Sequence, residues 1–518
     1  MKHTKKLASL LLALVMVFAL ALPAFAEETY TITIKNATAG HTYEAYQIFA
    51  GDLSEGTLSN IEWGTGVSEA GKTALGDAKA KAETLKNEAD AKAFATAVAP
   101  YLATVAGSAN TLTDGEYVIS GLAAGYYLVK DQDSTLTDGN DSYTNYILKV
   151  VSNVNVNPKS SVPSVQKKVK DTNDSVADST TGWQDSADHD INDVIDYQLT
   201  ATLANNVSTY AGPYKLVFTD TISKGLTYQS ITSVKIQYNS GEIVIPAAAG
   251  GSNGYTATTA AYGGTETTYA GGNVLTITID NLKAFLPEGT SATVLDSAKV
   301  VVEYKAQLNS NAVIGSAGNP NKVDLEYSNN PNDEQGGENG KTPDDTVIVF
   351  TYKVVANKVT KNPAYVEGGS EPEYIPLKGA GFTLYKKNAS GEFVAVGSEV
   401  KGEEMTTFEW KGLDDGDYKI SETTTPAGYN TIADIEFTIT AEHEVLSDNP
   451  TLTSLSGGDK FTGKVETGAL SADIENNKGS TLPETGGMGT TIFYVLGSVL
   501  VIGAAVLLIT KKRMGASK

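Results

Sequence analysis

The 518-residue sequence contains no cysteine. Disulfide staples are therefore excluded, as are thiolate metal sites and thiol nucleophiles. Histidine is almost as scarce. His3, His41, His189 and His443 are scattered, with no zinc spacing and no Ser-His-Asp or Cys-His constellation. No paired-carboxylate cleft motif is visible either, which weighs against a hydrolase. Positive charge is also short: 39 Lys and Arg against 61 Asp and Glu leave a net charge of −22. That balance argues against nucleic acid and anionic membrane surfaces as partners. The acidic run Asp185, Asp188, Asp190 and Asp193 lacks the central glycine and terminal glutamate of a calcium loop, and reads as a solvated acidic loop. No cofactor and no metal site is expected.

What is present begins at the two ends. Lys2, Lys5 and Lys6 precede an apolar core from Leu7 to Leu22, and Ala24-Phe25-Ala26 has the small-x-small pattern of a signal-peptidase site. Residues 1–26 are thus an expected signal peptide, and the exported chain starts at Glu27. Near the other end stand Leu482, Pro483, Glu484, Thr485 and Gly486, followed by an uncharged apolar run from Ile492 to Ile509. That run is long enough to cross a bilayer as a slightly short helix. Lys511, Lys512 and Arg513 then hold its end on the cytoplasmic side.

Between these signals, alternating apolar residues recur with period two, as in Thr29–Lys35 and Tyr43–Phe49, and glycine, threonine, tyrosine and valine are frequent. The expectation is an all-β chain of tandem β-sandwich domains. Residues 69–106 differ, being rich in Ala, Lys and Glu, with Ala82, Leu85, Ala89 and Phe94 suggesting an apolar helical stripe. The expected organisation is a first sandwich over 27–157 with a helical insertion, a proline-bearing linker over 158–163, and a second strand-rich domain over 164–330. A polar linker or loop over 331–346, a third domain over 347–477 and the terminal signal over 478–518 complete it. A weak internal repeat aligns Gly121–Asp131 with Gly412–Glu422, each a glycine turn entering a strand that ends on a carboxylate.

The pentapeptide, apolar span and basic stop, in that order, resemble the cell-wall sorting signal of Gram-positive bacteria. The resemblance implies that a sortase cysteine cleaves after Thr485 and passes the acyl group to an amine. Residues 418–429, YKISETTTPAGY, resemble the E-box of Gram-positive pilins and collagen-adhesin B-like domains. Residues 377–385 and 474–477 resemble the early and last strands of the same domains. In that family a glutamate promotes an isopeptide bond between a lysine on the first strand and an asparagine on the last. The physics is coherent: burial disfavours ammonium and carboxylate alike, so a lysine and an acid enclosed together leave a nucleophilic amine and a proton donor. The resemblance assigns Glu422 as the acid. Lys358 is preferred as the lysine over Lys361, because it shares a face with Val354 and Ala356; Asn476 is preferred over Asn477, because it shares a face with Ile474.

The second domain resembles the isopeptide-forming middle domain of fimbrial subunits, carried by residues 167–171, 196–200, 218–226 and 318–329. There an aspartate replaces the glutamate, and Asp220 fits. Lys167 is preferred over Lys168 and Asn321 over Asn329. In the first domain Asp131 occupies the repeat position of Glu422 and Lys35 lies on the first strand, but none of Asn153, Asn155 and Asn157 stands out as a partner. Residues 154–160, VNVNPKS, resemble the pilin motif of shaft subunits, with Asn157 and Ser160 departing from its Tyr-Pro-Lys-Asn core. Lys159 would be the acceptor amine.

Together these resemblances imply the major, shaft subunit of a sortase-assembled pilus. It would be wall-anchored and joined head-to-tail through Thr485 and Lys159, and it would support adhesion rather than act as an enzyme. The implied partners are pilus-type and housekeeping sortases, other copies of the chain, tip and base pilins, and peptidoglycan. The alternative is a wall-anchored monomeric adhesin with the same sorting signal and no polymerisation.

Overall fold

A computed structural model describes residues 28–480, apart from 56, 137–138, 151 and 250–252, together with residues 488–515. The expected signal peptide and the pentapeptide 482–486 lie outside the described residues. The rest is dominated by strands, arranged as three successive β-sandwiches. The alternation read from the sequence is what buries their cores. In Val194–Thr202 every second residue is buried, and the same rhythm runs through the first half of Tyr352–Lys361.

The first sandwich sets the sheet Glu116–Leu122, Tyr30–Lys35, Val154–Val156 against a second sheet built on Tyr43–Ser54 and Gly125–Asp131. Its insertion is three short helices, Glu69–Leu75, Ala78–Glu83 and Glu88–Val98. The single stripe expected from the sequence is divided because Ser68, Asp77 and Asn87 each accept a hydrogen bond from a backbone N–H in the following turn and restart the helix. Phe94, Ala95 and Val98 face inward, with the Phe94 ring stacked 5.4 Å from Phe49, while Ala89 is exposed.

The middle sandwich packs a five-stranded sheet, which carries Ser164–Val169, Val194–Thr202 and Lys299–Leu308, on a seven-stranded one. The latter carries Leu216–Ile222 and Asn319–Ser328 as antiparallel neighbours. In the third sandwich Tyr352–Lys361 pairs in parallel with Ala469–Glu475, and the facing sheet contains Gly381–Lys387 and Gly416–Thr424. First and last strands of the first sandwich, Tyr30–Lys35 and Val154–Val156, are likewise parallel neighbours.

The sandwiches are joined by polar contacts. Between the first and middle, Tyr143 N donates to Asn329 O at 2.8 Å and Asn332 Nδ2 to Thr144 O at 2.8 Å. Between the middle and third, Asp414 N donates to Asp190 Oδ1 at 3.0 Å and Asp415 N to Asp188 Oδ2 at 3.0 Å. The last described element is a helix, Met488–Gly515, of which Thr491–Met514 is long and apolar enough to cross a membrane and ends on Lys511, Lys512 and Arg513.

Candidate functional site: two buried lysine–acid–asparagine sets

In the middle sandwich Lys167, Asp220 and Asn321 all have no exposed surface. Strand alternation puts each on an inner face, Lys167 between Val165 and Val169, and Asp220 and Asn321 on adjacent strands of the opposite sheet. Lys167 Nζ donates to Asp220 Oδ1 and, at 2.9 Å, to the hydroxyl of Tyr304. Asn321 Nδ2 reaches the same hydroxyl at 2.7 Å. The ammonium lies 5.3 and 5.1 Å from the ring centres of Tyr197 and Tyr304, which stack on each other. Burial lowers the pKa of Lys167 against the opposing pull of Asp220, and raises that of Asp220 against the pull of Lys167. Both shifts run toward a neutral amine beside a neutral acid, the pair needed for attack on an amide.

The third sandwich assembles the same three groups differently. Lys358 lies on one of two parallel neighbours and Asn476 directly follows the other, Ala469–Glu475; Lys358 pairs with Ile474 in register and Asn476 N donates to Val359 O at 3.0 Å. Glu422 comes from the facing sheet. Its Oε1 and Oε2 accept from Asn476 Nδ2 at 2.9 and 3.1 Å, and Lys358 Nζ lies 3.9 Å from Oε1. The lysine donates to Ile474 O at 2.7 Å and faces Phe382, 5.9 Å from its ring centre. Lys358 and Asn476 have no exposed surface. Burial, outweighing Glu422 and Glu475, pushes the Lys358 amine down to about 8. Asn476 Oδ1 and Asn321 Oδ1 are both buried without a partner. A half-turn of either amide, which leaves its outline unchanged, would turn the carbonyl toward the acid or the phenol.

The alternatives weighed in the sequence fall elsewhere. Lys168 pairs with Asp185 and is partly exposed, Asn329 lies in the joint with the first sandwich, and Lys361 and Asn477 are exposed. In the first sandwich Lys35 is at the surface, 3.1 Å from Glu116. In the repeat, Asp131 ends the strand Gly125–Asp131 and Glu422 lies within Gly416–Thr424, while Gly121 and Gly412, with φ of 74° and 78°, stand near the ends of the strands before them. Asp131, however, meets a histidine. His41 Nδ1 lies 2.7 Å from Asp131 Oδ1 and Nε2 3.0 Å from Asp141 Oδ2, so both ring nitrogens face carboxylates. Burial lowers the His41 pKa, but the two aspartates outweigh it and hold the ring at about 9. The first sandwich is thus tied by a buried ionic bridge.

The acidic run 185–193 is not a solvated loop. Asp185, Asp188 and Asp190 are packed into the joint with the third sandwich, where Lys386 Nζ lies 2.6 Å from Asp190 Oδ2. His443 Nδ1 lies 2.7 Å from Ser186 Oγ, with Nε2 3.5 Å from Asp188. Those partners lie about two hundred or more residues downstream, so no local pattern signals them.

Lys159 sits where the first and middle sandwiches meet. Its backbone is fixed, with its N–H donating to Thr144 Oγ1 at 2.8 Å and its carbonyl accepting from Asn145 and Asn206 side chains. Residues 157–163 form no strand. The side chain is 53% exposed, and its amine lies 3.4 Å from Glu88.

Comparison with known proteins agrees with the resemblances drawn from the sequence. Residues 371–451 match the SpaA prealbumin-like fold domain, and residues 474–514 match the LPXTG cell wall anchor motif. The chain is 26% identical to the trypsin-resistant surface T6 protein of Streptococcus pyogenes serotype M6, covering 94% of this chain and 95% of that one. The solved T6 backbone pilin of serotype M6 S. pyogenes superimposes with a TM-score of 0.54 at 19% identity, over 88% of this chain and 99% of that one. The full-length major pilin SpaD of Corynebacterium diphtheriae gives 0.45 at 18% identity, over 88% and 98%. The fold is one of tandem β-sandwiches, and the C-terminal segment is a cell-wall anchor.

Proposed function

We propose that this chain is the shaft subunit of a covalently polymerised surface pilus, joined head-to-tail by sortase through Thr485 and Lys159. The observation that supports it most directly is Lys159: its main chain is clamped between two sandwiches while its amine projects into solvent. A sortase thiolate would displace Gly486 from Thr485, forming a thioester. The neutral Lys159 amine of another copy would then attack the thioester carbonyl, forming an amide and releasing the thiol. Repetition is a heterologous contact that does not close, and so grows a fibre. The likeness along the chain to a backbone pilin and the terminal anchor support the same reading.

The test is Lys159→Arg, which keeps the charge and removes the attacking amine because arginine stays protonated. The variant should lose the detergent- and heat-resistant ladder of a wall extract while monomer stays on the wall through Thr485. A ladder that persists would sink the role of Lys159. The departures at Asn157 and Ser160 keep the monomeric adhesin as the second reading, and a wild-type extract with no ladder would favour it.

Within each subunit the two buried sets would form isopeptide bonds, Lys167 to Asn321 promoted by Asp220, and Lys358 to Asn476 promoted by Glu422. Each Nζ–Cγ bond forms as Cγ–Nδ2 breaks, and one amine proton leaves with the amide nitrogen as ammonia, lowering the mass by about 17 Da. Intact-mass spectra of residues 27–485 should therefore show two such deficits.

A further inference from the structure

Glu422 touches its asparagine directly, through both carboxylate oxygens. Asp220 is one methylene shorter, and its hydrogen bonds go to Lys167 and toward the Tyr304 hydroxyl instead. What reaches Asn321 in the middle sandwich is the hydroxyl of Tyr304, 2.7 Å from Nδ2 and 2.9 Å from the lysine nitrogen. We propose that Tyr304 is a catalytic residue of the middle-sandwich reaction, its phenol standing in for the missing methylene and relaying the proton between Lys167 and Asn321.

The placement is built into the sheet. Tyr304 pairs with Tyr197 in register, two strands from Lys167 in the same sheet, so the hydroxyl projects across the core toward the sheet that bears Asp220 and Asn321. The ring is fully buried and stacked 5.1 Å from Tyr197, which fixes where the hydroxyl oxygen lies. Burial, reinforced by Asp220, holds the phenol well above its ordinary pKa, so it keeps its proton until the reaction takes it. As Nζ attacks Cγ, the amine proton passes to the Tyr304 oxygen while the phenolic proton passes to Nδ2. The hydroxyl is regenerated and ammonia leaves; Asp220 holds the amine in place and can donate to the developing oxyanion once protonated. The third sandwich places Phe382, which has no hydroxyl, over its lysine.

This rests on the isopeptide reading, and the experiment separates the two. Wild-type, Tyr304→Phe and Tyr304→Phe/Asp220→Glu chains spanning residues 27–480 would be made by cell-free translation. Their cross-links would be followed over time by intact mass and by mass spectrometry of linked tryptic peptides. Phenylalanine retains the stacking, and the third-sandwich link serves as an internal control. Tyr304→Phe should form the Lys167–Asn321 link roughly a hundredfold more slowly, the scale of a lost proton-transfer group, while Lys358–Asn476 forms normally. Lengthening the acid in the double variant should restore the link, as no purely packing role would. A wild-type chain with no middle-sandwich deficit would overturn the bond itself. A Tyr304→Phe chain that cross-links at the wild-type rate, or a double variant that gains nothing, would overturn the relay.

Discussion

The middle and third sandwiches bring the same three functional groups together by opposite routes. In the middle one the lysine lies on one sheet and the acid and asparagine on the other, so a bond would cross the core. In the third, the lysine lies on one of two parallel neighbours, the asparagine directly follows the other, and the acid alone reaches across. The acid's length follows the geometry. Glutamate spans the gap unaided, whereas aspartate beside a lysine leaves the asparagine to Tyr304. On the proposed reading, similar buried chemistry would not require superposable residues; it would require a proton path between amine and amide.

That contrast is testable by removing each acid. Asp220→Ala and Glu422→Ala should each erase one deficit of about 17 Da and cost on the order of 4 kcal/mol for the lost tie, by analogy with a long-loop disulfide. Asp220→Ala should be the more damaging by about 3 kcal/mol, since it removes a carboxylate in direct contact with a fully buried lysine and leaves that amine the Tyr304 hydroxyl, whereas Lys358 lies 3.9 Å from Glu422 and keeps the Ile474 carbonyl. Calorimetry showing Glu422→Ala to be the less stable variant would reverse the ranking. Next in size is Glu422→Asp. With no phenol over Lys358, the shortened acid should slow the third-sandwich link about a hundredfold. A time course by mass indistinguishable from wild type would mean that acid length is not what separates the two sites.

The smallest expected effect concerns the first sandwich, where His41 lies between Asp131 and Asp141. Its folded pKa of about 9 lies above the ordinary histidine value of about 6.5. The stabilisation is therefore fully present below about pH 6.5 and fades as pH rises through about 9. The melting transition of the first sandwich should fall between pH 6 and pH 9.5 by a few kcal/mol at most, and His41→Gln should abolish that slope. His443 at the middle–third joint, also held at about 9 because Asp171 and Asp188 outweigh burial, should loosen over the same window. Melting of the first sandwich that does not respond to pH would show that the bridge contributes nothing.

Much of this architecture is legible in the sequence because it rests on period-two alternation. Lys167, Lys358 and Asn476 stand where apolar neighbours two residues away put them inside, and the structure buries all three. Tyr304 is illegible for the same reason. In a strand reading KVVVEYKAQL, an inward tyrosine looks like ordinary core, and nothing local marks its hydroxyl. His41 is equally silent, since its two carboxylates lie about a hundred residues downstream. The acidic run 185–193 reads as solvent-facing because two of the groups that neutralise it, Lys386 and His443, belong to another sandwich and join Lys168 of its own.

The position of Lys159, ahead of Ser164–Val169 and behind the first sandwich, has a mechanical consequence. A pull on a fibre would enter each subunit at Lys159 and leave at Thr485. With both internal bonds in place, tension would run from Lys159 to Lys167, jump to Asn321, continue to Lys358, jump to Asn476 and exit. The strands between each bonded pair would hang outside that path, and stretching could not unravel them. The whole first sandwich would hang outside it too, and there a histidine held between two aspartates would carry none of the pull.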